Sequence, residues 1–356
     1  MKLTDVKLAE AIKQLVTTKG IPEELIVDTM KETMMAAYKN FKDMDNIKLA
    51  EGNGKSLFNI LIVKDVVKRA TNKSKQINVK EAQKLFPDAV EGQQIEIPAN
   101  PFSEFSEKEI NWVIENFLGA LNRMEKDTIK FEYAKKKNKL VSGNIIKKDN
   151  QGNIFVDLGK TIGFLPLEEQ SPMEHYETED RIKAVVKEVY GDKTRVKRRK
   201  DEAASKQVQI LLSRTSPDLV KELLSAEVPE MSDGSIEIKK IAREPGYKTK
   251  LAVYSDIVDP VSSCIGPHGM RITNVVKELG GEKVDVIRYS DEPKTFIKSA
   301  LTPAKVNRII IQDASSKTVF AVVDKDQLSY AYGKQKKNVV LAAKLCGWKI
   351  NVKTES

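Results

Sequence analysis

The chain has 356 residues, 40% of them hydrophobic and 31% charged, and its 60 Lys and Arg against 51 Asp and Glu give a formal net charge of +9. That length exceeds what one hydrophobic core normally serves and predicts two to four domains; no run approaches the ~20 apolar residues of a bilayer span, so a cytoplasmic protein with no membrane partner is expected. Only 2 Cys and 2 His are present, which argues against a disulfide framework and a Cys/His zinc site, so neither metal nor cofactor is expected.

Leu8, Ile12, Leu15 and Val16 follow helical spacing, and beyond Gly20 and Pro22 so do Ile26, Met30, Met34, Ala37 and Tyr38. The opening MKLTDVKLAEAIKQ places charges where a signal peptide has its apolar core, so an unprocessed start is expected. From about residue 45 to 98 the pattern changes to short strands such as 57–67 and 94–97. Ser106, with Glu109 three residues on as a capping box, starts a strong helix with Ile110, Val113, Ile114, Phe117, Leu118 and Leu121 on one face. Together these predict an α+β domain over residues 1–130 whose Met and aromatic positions form its core. The run Tyr133-Ala134-Lys135-Lys136-Lys137-Asn138-Lys139 has no apolar period and reads as a linker.

Five strands follow, at 141–148, 153–158, 161–165, 181–189 and 207–212, with turns at Gly152, Gly159 and Gly191. They predict a small antiparallel barrel of the OB type over residues 131–214. Phe155 and Phe164 lie on strands where such a barrel presents rings; they either fill its interior or stack on bases, at about 1–3 kcal/mol per base. Between Gly152 and Gly159-Lys160-Thr161 the chain imitates a phosphate-binding loop. Six residues separate those glycines where four are needed, and no helix follows, so the segment reads as a hairpin turn. Lys193, Arg195, Lys197, Arg198, Arg199 and Lys200 form a dense basic run, either a solvated loop or a phosphate contact.

Beyond Ser216 the order helix, strand, strand, helix, helix, strand occurs twice. The first pass takes 218–226, 236–242, 250–255, 258–264, 272–279 and 284–287; the second takes 295–301, 307–312, 318–323, 327–332, 339–345 and 349–352. Such repetition marks duplicated domains, here 215–290 and 291–356. A tight turn stands between the paired helices, Gly266-Pro267-His268-Gly269 in one copy and Gly333-Lys334-Gln335-Lys336 in the other. A G-x-x-G turn in that place is how a KH module clamps the backbone of a single-stranded nucleic acid. Its glycines remove Cβ atoms so that N–H groups approach phosphate, and the next helix points its positive end at the same place.

Met270 and Arg271 open the helix after the first turn, with Arg271 a phosphate contact or a stacking partner. In the second turn Lys336 replaces the second glycine. If left-handed, that position costs about 1–2 kcal/mol; either the grip rests less on backbone than on Lys334, Lys336 and Lys337, with Gln335 and Asn338 beside them, or this copy has lost much of its RNA contact and mainly packs against its neighbour. Residues 1–130 carry no net charge, 131–230 carry +2 and 231–356 carry +7, so the excess lies on the repeated half, as a phosphate-binding surface requires. Cys264 and Cys346 read as reduced, packed thiols in matching helices of the two copies. No paired carboxylates or Ser/His/Asp set points to catalysis, so the protein is not expected to be an enzyme.

The segments EVPEMSDGSIEIKKIAREPGYKTKLAV, DPVSSCIGPHGMRITNVVKELGGEKVDVI and FAVVDKDQLSYAYGKQKKNVVLAAKLCGWKINV resemble the KH tandem of the NusA family of bacterial transcription factors. VDLGKTIGFLP is similar to the family's S1-type barrel, and KGIPEELIVDTMKETMMAAYK is a weaker match to its N-terminal helices. The resemblance implies a multidomain α+β protein with an N-terminal α+β domain, an S1-type OB β-barrel and two tandem type II KH domains. It implies a monomeric, non-enzymatic factor that binds RNA polymerase through its N-terminal domain, holds nascent single-stranded RNA along the barrel and KH modules, and works with other Nus factors in pausing, termination and antitermination. Three departures stand out: Lys336 in the second clamp, an insertion from Lys193 to Lys206 before the last barrel strand, and an end at Ser356 without the acidic C-terminal repeats of some members. Competing readings are a ribosome-associated or ribosome-maturation RNA-binding protein, which reuses OB and KH modules, and a phosphorolytic RNA-degrading enzyme, which carries them after large catalytic domains.

Overall fold

The computed structural model describes residues 21–51, 58–100, 104–190 and 209–354. The expected helix around Leu8 to Val16, the basic run from Lys193 to Lys200 and the insertion to Lys206 lie outside the described residues. The chain divides into two units, Met1–Thr128 and Ile129–Ser356. Among the described residues no helix is long and apolar enough to cross a membrane.

In the first unit, helix α1 (Glu23–Lys42) buries Ile26, Met30, Met34, Ala37 and Tyr38, the stripe that its spacing predicts. Strands β1 (Ile47–Glu51), β2 (Phe58–Val67), β3 (Gln76–Asn78) and β4 (Gln94–Ala99) form one sheet, with β2 antiparallel to β1 and β4 and parallel to β3. A short helix α2 (Val79–Leu85) stands where only strands were expected. Asn78 caps it, its side chain accepting from the Glu81 N–H at 2.9 Å. Helix α3 (Glu107–Lys135) begins at the predicted capping box, where Glu109 accepts from the N–H and the hydroxyl of Ser106 at 2.6 and 2.8 Å.

Helix α3 takes in the first three residues read as a linker and ends at Lys135, leaving 136–139 as the connection. Tyr133 is buried among Ile145, Ile154 and Leu165 in the core of the barrel, while Lys136 pairs with Glu132 one turn back at 2.8 Å. One buried aromatic seats the helix end, and the lysines from Lys135 onward lie on the wet side of the turn that follows.

The barrel strands are β5 (Leu140–Lys148), β6 (Ile154–Asp157), β7 (Ile162–Leu165), β8 (Arg181–Tyr190) and β9 (Gln209–Ser213), closed in the order β5-β6-β7-β9-β8. Four of the five pairings are antiparallel and β7–β9 is parallel, which corrects the all-antiparallel expectation. A ring with an odd number of strands cannot alternate direction all the way round, so one pair must run parallel.

The first repeat comprises α4 (Pro217–Glu227), α5 (Pro229–Ser232), β10 (Glu237–Glu244), β11 (Lys248–Tyr254), α6 (Pro260–Ile265), α7 (Met270–Glu278) and β12 (Lys283–Arg288). The second comprises α8 (Pro293–Ala300), β13 (Val306–Asp313), β14 (Thr318–Val323), α9 (Leu328–Tyr332), α10 (Lys337–Cys346) and β15 (Lys349–Thr354). In each sheet the middle strand is antiparallel to the strand before it and parallel to the strand after it, so the six-element order holds twice as two type II KH modules, with the one-turn helix α5 added in the first. Leu219, Leu223 and Leu224 of α4 share a core with Leu251, Val253, Cys264 and Val275, and Val185 of the barrel joins it. On the other face of the first sheet, Ala242, Ala252 and Ile287 share a core with Ile297, Leu341 and Leu345 of the second module. Strand β11 is therefore covered on both faces, and Lys250 is fully buried within it.

Cys264 and Cys346 are both free and buried, and burial pushes each thiol up to about 12. Their helices do not match: Cys264 lies in α6, the first helix of its pair, and Cys346 ends α10, the second of its pair.

Candidate nucleic-acid interface

Each KH turn is fixed by what ends one helix and starts the next. Asp259 caps α6, accepting from the Ser262 N–H, Pro260 opens the helix, and Gly266 ends it. Gly266 has φ 74° and ψ 174°, His268 φ 52° and ψ 21°, and Gly269 φ 72° and ψ 16°. In the second turn Gly333 has φ 68° and ψ 174°, Gln335 φ 55° and ψ 31°, and Lys336 φ 60° and ψ 14°. The two backbones agree position for position. Lys336 thus occupies the left-handed conformation of the missing glycine without changing the turn.

The glycines differ in what they are needed for. The conformation of Gly266 and Gly333 is essentially glycine-only, and a Cβ there would fall 2.6 Å from Arg271 Cγ or 2.7 Å from Asn338 Cβ. At Gly269 nothing lies within 4 Å of where a Cβ would stand, so a side chain fits and only the left-handed backbone is costly, by about 1–2 kcal/mol. The amides are wired inward. Gly266 N–H donates to Ser262 O at 2.9 Å, Gly269 N–H to Gly266 O at 3.0 Å and Lys336 N–H to Gly333 O at 3.1 Å. The N–H groups of Gly266, Gly269 and Lys336 are thus engaged within the turns, and at Gly269 the approach to the positive end of α7 is unobstructed.

Pro267, His268 and Met270 are exposed around the first turn, and Lys334, Gln335 and Lys336 around the second. Three other expected contacts are engaged inside the protein. Arg271 Nη1 donates to Glu230 Oε2 at 3.0 Å and to Ser263 O at 2.8 Å. Lys337 Nζ lies 3.3 Å from Glu244 Oε1 and 3.2 Å from the centroid of the Tyr247 ring. Asn338 is 3% exposed, and its Nδ2 donates to the carbonyls of Leu301, Tyr330 and Ala331 at 3.0, 3.2 and 3.2 Å. Side chains in the first turn of a helix point back toward the preceding residues, here into the protein. The lysine surface of the second turn is thereby reduced to Lys334 and Lys336.

On the barrel, Phe155 and Phe164 face each other across β6 and β7, with ring centroids 5.5 Å apart. Their neighbours Ile154, Val156 and Leu165 point inward and are buried, so by alternation the two rings lie half-buried on the outer wall. Lys147 Nζ is 5.2 Å from the Phe155 centroid, and rings beside a cation are suited to stacking a base and neutralising its phosphate. The imitation phosphate loop is a hairpin: Leu158 N–H donates to Thr161 O at 3.0 Å, and Lys160 pairs with Glu132 at 2.8 Å. Sequence reasoning missed Tyr247 and Lys248, whose only local signal is the Pro245-Gly246 turn before them.

Comparison with known proteins places these elements. Residues 7–127 match the NusA N-terminal domain, 134–197 the S1 RNA binding domain, 214–289 the NusA-like first KH domain and 293–356 the NusA-like second KH domain. The chain is 35% identical to the transcription termination/antitermination protein NusA of Bacillus subtilis, over 98% of this chain and 91% of that relative. It is 36% identical to the protein of the same name from Thermus thermophilus, over 97% of this chain and 89% of that relative. The solution structure of the N-terminal domain of NusA from B. subtilis covers 34% of this chain and 98% of its own, at 24% identity and a TM-score of 0.26.

Proposed function

The chain belongs to the NusA family of RNA-binding transcription factors, and we propose that it guides nascent single-stranded RNA while its N-terminal unit is attached to RNA polymerase. The RNA is gripped at Gly266–Gly269 and at Lys334 and Lys336, and stacks on Phe155 and Phe164. As the name of its relatives states for them, the protein acts in termination and antitermination. It does so as a monomer without catalysis, with other Nus factors as further partners. The observation that carries this reading is the identity of the two turn backbones, one with a free approach at Gly269 and one with a lysine there. The match of residues 7–127 to the NusA N-terminal domain supports the polymerase contact over a ribosomal role.

Gly269→Asp tests the clamp. A carboxylate there meets no protein atom within 4 Å of its Cβ, so the fold persists, and its charge faces phosphate, which should weaken single-stranded RNA binding about tenfold or more. Unchanged affinity in the folded variant would overturn the assignment. Deleting residues 1–126 should abolish co-purification with RNA polymerase and spare RNA binding; retained polymerase would refute the N-terminal role.

A further inference from the structure

Aligned on their first glycines, Arg271 and Asn338 are the same position in the two modules. Each covers the glycine that has no room for a Cβ. Each also donates to the carbonyl three residues before that glycine, Arg271 Nη1 to Ser263 O at 2.8 Å and Asn338 Nδ2 to Tyr330 O at 3.2 Å. Those carbonyls end a helix and lack an intrahelical partner. The side chain after the turn therefore staples the two helices together.

The two staples are anchored differently. Arg271 is held by Glu230 of its own module. Asn338 Oδ1 accepts from Lys248 Nζ of the first module at 3.3 Å, and the adjacent Lys337 sits between Glu244 and the Tyr247 ring, also of the first module. Glu244, Tyr247 and Lys248 all belong to the β10–β11 hairpin, so one hairpin of the first module holds the first two residues of α10.

That hairpin is itself fixed. Glu282 is fully buried, and its carboxylate accepts from Arg243 Nη2 at 2.9 Å, Gly246 N–H at 2.8 Å and Thr249 Oγ1 at 2.6 Å. Arg243 Nη1 donates to Ser216 O at 2.6 Å, tying the turn end of the hairpin to the segment that leaves the barrel. A fully satisfied buried network of this kind rigidifies what it joins.

We propose that the β10–β11 hairpin is a positioning element that seats the second turn relative to the first, so that one RNA strand meets both turns already arranged. The proposal rests on the reading of the turns as RNA clamps. The first turn is held by its own module, and the second is held by its neighbour. A strand engaged at one turn then meets the other at high effective concentration, with no ordering cost at the moment of binding. If the turns moved independently, that advantage would be lost.

The test uses the full chain carrying Glu244→Gln, Tyr247→Ala and Lys248→Met together, all outside the turns. Its probes are a single-stranded RNA of about four nucleotides, the length that one module clamps, and one about three times as long. Affinity for the short RNA should be unchanged, and affinity for the long one should fall about tenfold. Long-RNA affinity equal to wild type, or equal losses for both RNAs, would overturn the positioning role. If the triple variant unfolds, Lys248→Met alone decides the matter: Asp285 keeps its pairing with Lys250 at 2.8 Å, and a selective long-RNA loss of about threefold is expected, with no selective loss again overturning the role. Gly269→Asp is measured alongside. If it leaves RNA binding intact, the clamp reading has failed; if it weakens binding while the hairpin variants do not, the positioning role alone has failed.

Discussion

Replacing Gly333 by Ala should destabilise the second KH module by about 2–6 kcal/mol, whereas replacing Lys336 by Gly should stabilise it by at most about 1.5 kcal/mol. At Gly333 the backbone, φ 68° and ψ 174°, lies where only glycine rests without strain, a penalty of about 1–3 kcal/mol for any other residue. The new Cβ would also fall 2.7 Å from Asn338 Cβ and 3.1 Å from its backbone N. Those atoms cannot retreat without breaking the hydrogen bonds of Asn338 to Leu301, Tyr330 and Ala331, and overpacking of this kind adds about 1–3 kcal/mol. At Lys336 two smaller effects oppose each other. Glycine removes a left-handed penalty of about 1–2 kcal/mol and loosens the unfolded chain by about 0.5–1 kcal/mol, so the net effect is slightly stabilising. Urea unfolding followed by Trp348 fluorescence, in a Trp112→Phe background, reads the second module, because Trp348 packs against its core. A Gly333→Ala protein within about 1 kcal/mol of its parent would refute the argument, and so would a Lys336→Gly protein destabilised by more than that.

Phe155→Ala and Phe164→Ala should each weaken RNA binding by about 1–3 kcal/mol in calorimetric titration, with stability lowered by no more than about 1.5 kcal/mol, the worth of the cross-strand ring pair, because both rings lie half-buried on the outer wall. Losing the fold with either variant would show the rings to be core. Changing Lys334 and Lys336 together to Gln should reduce the slope of log affinity against log salt by about 1.4, while Lys337→Gln should leave it unchanged, since Glu244 and Tyr247 already hold that charge. Lys250 is held down to about 8 from its ordinary 10.5 because burial penalises its charge more than Asp285 restores it. Between those pH values the unfolded chain binds a proton that the folded one does not, so stability should rise with pH through that window, by about 3 kcal/mol in all. Lys250→Met should abolish the rise, and an identical pH profile in that variant would show the lysine to be solvated.

What the sequence shows plainly is whatever short-range chemistry decides. The six-element order, the two turns and the barrel strands are punctuated by Gly and Pro and carried by apolar period, and each signal acts within a few residues of itself. What it hides depends on a second surface. Strand β11 alternates toward two cores, so Lys250, which on a strand wet on one side would be solvated, is enclosed by a module that begins forty residues later. Tyr133 is invisible as a core residue in a lysine run because one aromatic gives no period. Arg271 and Asn338 are the more instructive failure. A basic or amide residue just after a G-x-x-G-like turn reads as a ligand contact, because the turn is where a ligand is expected. Yet the helix geometry that aims amides at a phosphate also aims the next side chains backward, onto the carbonyls that end the preceding helix. Arginine serves there where a carboxylate of the same module waits for it, at Glu230; asparagine serves where three carbonyls and a lysine of the neighbouring module converge. The residue type at that position therefore follows from which module holds the turn, and it is in that choice, more than in the lysine standing where the second glycine would be, that the two turns differ.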